Sequence, residues 1–193
     1  LLEESGISAV GIKPISSRLG CSTQPISWQF GSMTELRREL FFYASGKVNS
    51  LMASSMAGRE AVEAFFLSGV VYLTLACDHP HLFRFLCVDD PSESVGEDIS
   101  KGVSIFSMQF DKAAVKMISE QYEVSSEALG AVVRDVVIYT HGLATMMIYD
   151  SMKLPKDIAC KMMFDLGDRM LEGIGLVLPE EQKKAIFKSA GSI

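Results

Sequence analysis

Ile15-Ser16-Ser17-Arg18-Leu19-Gly20-Cys21-Ser22-Thr23-Gln24-Pro25-Ile26-Ser27-Trp28-Gln29-Phe30 is the stretch on which the fold is decided. Ile15 with Leu19, and Ile26 with Phe30, repeat at the i, i+4 spacing of a helix face. Between the two pairs stands Gly20, the residue that takes a left-handed helix end without steric cost. Ser22 follows as an N-cap, and Pro25 falls within the first turn, where its missing N–H is tolerated. The expectation is two short helices joined by a glycine turn, locked at a steep angle by those four apolar side chains and by the small Ser16.

Outward from this stretch, every strong signal is helical. A short helix over Leu1 to Ser5 ends at Gly6, and the helix holding Ile15 starts near Lys13. Ser32 and Glu35 have capping-box spacing and open a long helix to about Ala57, broken by Gly58. Arg59 to Cys77 is apolar nearly all round, hence interior. Pro80 to Val88 reads as a short helix, Asp89 to Glu93 as a loop, and Ser94 with Glu97 as the cap of a helix to about Tyr122. Ser126 to Met152, Pro155 to Gly175 and a last helix after Pro179 complete the plan. No hairpin dipeptide bounds a run of strand-type alternation, so the fold class is all-α.

Composition agrees with a globular chain: 193 residues, 48% apolar, 22% charged, formal net charge −6. Disorder and a disulfide-stapled miniprotein are excluded. Cys21, Cys77, Cys87 and Cys160 form no CxxC pair and read as reduced thiols. Cys77, His79, His81 and Cys87 read as a helix end and a Pro-initiated helix, so no metal is expected. The apolar run Phe65 to Cys77 falls short of the roughly 18 residues that mark a bilayer span, and the first residues have no signal-peptide pattern. The expectation is a cytoplasmic protein with no membrane contact; the missing initiator Met points to an N-terminally truncated chain. Residues 1–47 carry Lys13, Arg18, Arg37, Arg38 and Lys47 against four glutamates, which leaves the acidity in the remainder.

Gly6, Ile15, Gly20, Cys21-Ser22, Phe30, Ser32, Glu35 and Leu36 stand in the register of the head of tetracycline-repressor (TetR) family regulators, and Tyr139-Thr140-His141-Gly142-Leu143-Ala144 is similar to a segment of the eighth helix in several of its subfamilies. The resemblance implies a DNA-binding head over residues 1–45 and an effector-binding, dimerising helical body over residues 46–193. It implies a homodimer, a double-stranded DNA operator and a transcription regulator, usually a repressor. Three customary phosphate ligands of the family are replaced here, at Val10 and Gly11, at Ser27 and at Met33.

On this frame Lys13, Arg18, Thr23, Gln24, Ser27, Trp28 and Gln29 are the candidate DNA contacts, with Arg37 and Arg38 as further phosphate ligands. A glutamine can pair with adenine N6 and N7, and Trp28 can pack on backbone or a thymine methyl. Phe65, Tyr72, Phe83, Phe106, Phe110, Tyr139 and His141 are the candidate pocket for a small hydrophobic effector, apolar rings with few polar fixing points. Val133, Val137, Leu143, Met147, Met163, Leu166 and Met170 are the candidate dimer face. No GxSxG, phosphate loop, GxGxxG or HExxH is present, so neither catalysis nor a cofactor is expected. The alternative is a small-molecule-binding or interaction module that keeps the fold with weakened DNA binding, motivated by the replaced phosphate ligands.

Overall fold

The computed structural model describes residues 1–90, 92–96, 109–149 and 152–191. They are helical throughout, without a strand: α1 (Leu2–Ser5), α2 (Ile12–Leu19), α3 (Thr23–Phe30), α4 (Met33–Met56), α5 (Ala61–Asp78), α6 (Pro80–Phe83), α7 (Ser92–Val95), α8 (Gln109–Tyr122), α9 (Ser126–Met147), α10 (Lys156–Gly173) and α11 (Glu180–Ala190). A 3-10 turn occupies Ile7–Ala9, and a π-turn, Arg84–Val88, extends α6. The expected helix starting at Ser94 falls partly on residues outside those described, among them Glu97.

Local chemistry explains the boundaries. Gly20 ends α2 in the left-handed region (φ 66°, ψ 30°). Ser32 Oγ accepts from the Glu35 amide at 3.1 Å, while the Glu35 carboxylate turns to Arg38 and leaves the capping box half made. α9 starts at Ser126 as expected, and Ser125 caps it by accepting from the Ala128 amide. Asp90 Oδ1 accepts from the Ser92 amide at 2.8 Å and starts α7 inside the stretch expected to be loop.

The chain divides into two compact units, Leu1–Ser50 with His79–Ser107, and Leu51–Asp78 with Met108–Ile193. This division differs from a single cut between residues 45 and 46, since residues 79–107 group with residues 1–50. The reason is apolar packing, since Phe83 and Phe85 are buried and the Phe85 ring meets Phe41 edge-on at 5.7 Å. Arg38 adds a hydrogen bond to the Val95 carbonyl. Leu36, Phe41, Ala44 and Val48 turn the inner face of α4 to this core.

The second unit is built around α5, against which α9, α10 and α11 pack. Phe66 lies by Gly167, Gly69 by Met163 and Thr74 by Lys156, so α5 and α10 run antiparallel. Phe66 stacks on Phe164 and Phe187 meets Phe164 at a tilt, with centroids 4.7 and 4.4 Å apart. Lys183 fastens α11 to α10 through Asp168 at 2.6 Å and Glu172 at 3.2 Å, contacts that raise its pKa. α5 is long and apolar enough to cross a membrane, with a mean hydropathy of 1.5. Yet Val62, Phe66, Leu67, Val70, Val71, Leu73 and Ala76 are buried by the protein itself.

Candidate nucleic-acid interface

Within the first unit, α2 ends in a Schellman turn: the Cys21 amide donates to the Ser16 carbonyl at 3.0 Å and the Gly20 amide to Ser17 at 3.3 Å. Ser16 is buried, and its hydroxyl donates to the Lys13 carbonyl. The small side chain lets α3 approach closely, and Ile26 points inward from α3. Ile15 and Phe30 are half-buried. Leu19, expected to lock the pair, is instead 64% exposed, because it is the last residue of α2 and the turn carries the chain away beyond it.

The outer face of α3 presents Thr23, Gln24, Trp28 and Gln29 to solvent, while Ser27 is half-buried. Trp28 is 78% exposed, so it does not cover the core of the head.

Cations on this unit are mostly engaged. Both Arg18 terminal nitrogens donate to the Glu4 carboxylate, which is held below its ordinary pKa by that guanidinium. Arg38 is bound to Glu35 and the Val95 carbonyl, and Arg84 to Asp89. Lys47 sits 4.9 Å over the Tyr43 ring. Lys13 is exposed, and Arg37 is half-buried with its Nε lacking an acceptor. The Glu4–Arg18 pair leaves no signal in the sequence, since fourteen residues separate partners that only tertiary folding brings together.

In the second unit, Tyr72 Oη and His141 Nδ1 are hydrogen-bonded at 2.9 Å, and burial pushes the imidazole pKa down. Phe65 and Tyr139 are half-buried. Phe83 belongs to the other unit, where it is wholly buried in core. Phe106 lies outside the described residues, and the side chain of Phe110 does too. The residues Phe65, Tyr72, Tyr139 and His141 line neither the narrow cavity of about 40 Å³ beside Phe66, Phe164 and Lys183 nor the open cleft of about 570 Å³ between α8 and α9.

The residues expected at a dimer face fall into two groups by burial. Val133, Leu143 and Met163 are buried within the second unit, because the inner stripes of α9 and α10 pack against α5. Val137, Met147, Leu166 and Met170 are half-buried. The apolar side chains that face solvent on these helices are Ile138, Met146, Ile158 and Met162. Among the described residues, no group of three or more His, Cys, Asp or Glu side chains is placed to hold a metal ion. No family model, curated protein or solved structure matches the chain.

Proposed function

We propose that the protein is a TetR-like transcription regulator, a homodimer whose α2–turn–α3 unit contacts operator DNA and whose helical second unit binds an effector. The observation that carries this is the outer face of α3, where Thr23, Gln24, Trp28 and Gln29 stand free of the core beside a glycine-ended α2. Polar side chains on one face of a second helix suit base edges in the major groove, with glutamine directed at adenine. Two copies of α3 have to lie about 34–36 Å apart to enter successive grooves. An effector acts by binding one head spacing better than the other.

The second reading, an interaction module with weakened DNA affinity, is favoured by the engagement of Arg18, Arg38 and Arg84 with protein acceptors. Phosphate contacts supply much of the affinity for DNA, and a guanidinium held by carboxylate must be released first.

The deciding experiment is fluorescence anisotropy of the full chain with DNA from upstream of its own gene, at two salt concentrations, beside a Gln24→Ala/Gln29→Ala variant. Specific binding lost in the variant supports the operator reader. No binding at low salt overturns it and favours the interaction module. Trp28, the one tryptophan of the chain, reports contact directly: acrylamide quenches it readily in the free protein, and DNA shields it.

A further inference from the structure

The helices α8 and α9 form a hairpin that is closed at one end and open at the other. Near the turn, the Ser119 and Ser126 hydroxyls are hydrogen-bonded at 2.7 Å. From Ser126 onward the helices leave a cleft of about 570 Å³, whose lining includes Lys112, Val115 and Lys116 from α8 and Gly130, Ala131 and Arg134 from α9. That volume lies in the range of small-molecule sites, roughly 300–1,000 Å³.

The lining divides by chemistry. Val115, Gly130 and Ala131 make an apolar floor with little side-chain bulk, and a Cβ added at Gly130 meets nothing within 4 Å. Lys112 and Lys116 are four residues apart on one helix and share a face; Arg134 stands on the other. Lys116 has only a 3.9 Å contact with the exposed Glu120, and Arg134 pairs through Nε with the neighbouring Asp135. Among the described residues of the lining, Glu127 is the one acid against these three cations.

We infer that the α8–α9 cleft is a binding site for a small organic carboxylate, whose anionic head is held between Lys112, Lys116 and Arg134 and whose compact apolar body covers Gly130 and Ala131. Arg134 provides the planar donor fork that suits a carboxylate, and the lysines add positive potential around it. The inference stands on this cleft alone and does not depend on DNA contact by the first unit.

The test uses octanoate, octan-1-ol and octylammonium as probes, with the full chain followed by amide NMR shifts. Octanoate is expected to bind with a dissociation constant of about 1 mM and to move the amides around Lys112, Gly130 and Arg134. Octan-1-ol and octylammonium should bind at least about tenfold more weakly. A Cβ at Gly130 meets nothing within 4 Å, so Gly130→Leu projects into the cleft and, once a cooperative unfolding transition is verified, should abolish the shifts. Lys116→Glu/Arg134→Glu should weaken octanoate about tenfold or more while leaving unfolding cooperative. Equal binding of the alcohol, shifts centred elsewhere, or octanoate affinity unchanged in folded Gly130→Leu each overturns the assignment, as does an absence of shifts at about 10 mM octanoate.

Discussion

The edge of the Phe66 ring lies against Gly167, so close that a Cβ on the glycine falls 2.7 Å from Cε1. The contact is rigid on both sides, since Phe66 is buried and stacked on Phe164. Gly167→Ala therefore forces overpacking of about 1–3 kcal/mol, against a helix-propensity gain of only about 1 kcal/mol. Urea unfolding should show a net loss. Gly46→Ala and Gly130→Ala, whose new methyls meet nothing within 4 Å, should each gain about 0.5–1 kcal/mol. A stabilised Gly167→Ala protein would show that α5 and α10 are not in this contact.

His141 gives stability a pH dependence of definite sign. Its folded-state pKa is lowered by burial, so the unfolded chain takes up a proton first as pH falls. The contribution is complete above the unfolded value of about 6.5 and is lost as pH drops through it toward the lower folded value. Urea midpoints measured between about pH 7.5 and 5 should fall more steeply in the parent than in His141→Gln. Parallel slopes would remove His141 as the source.

Glu4 holds the Arg18 guanidinium, which the proposed DNA contact would need. If the first unit binds operator, Glu4→Gln frees the guanidinium for phosphate, so affinity should rise at low salt and the slope of log K against log salt should steepen by about one unit. Arg18→Gln should do the reverse. An unchanged slope in Glu4→Gln would place Arg18 away from the DNA backbone.

The proposed homodimer is to be tested on the exposed side chains of α9 and α10, not on the buried ones. Ile138 is 64% exposed, and Met162 also faces solvent. A charge at either costs the protomer little, within about 0.5 kcal/mol. Ile138→Glu/Met162→Glu should leave the thermal transition nearly in place while sedimentation velocity shows monomer. A dimer that survives this double change is joined through some other surface.

Much of the helical plan was legible because its signals are local. Gly20 at the end of α2, Ser32 before α4 and Pro155 before α10 act within a turn of their own backbone. Legibility failed where a residue's neighbour is distant in sequence. Leu19 has the right spacing to be core yet faces water. Val133, Leu143 and Met163 belong to a broadly apolar pair of helices, and periodicity alone cannot say which stripe meets α5 and which is left open.

The sequence by itself determined the class of structure and the positions of most helix ends, since backbone capping and helical periodicity are set by residues within a few positions of one another. Only the tertiary structure decided that Phe83 and Phe85 join the first unit, that Glu4 holds Arg18, and that Lys112, Lys116 and Arg134 surround one cleft. Those facts depend on which helix faces meet, and that choice is made by the summed burial of apolar surface over the whole chain.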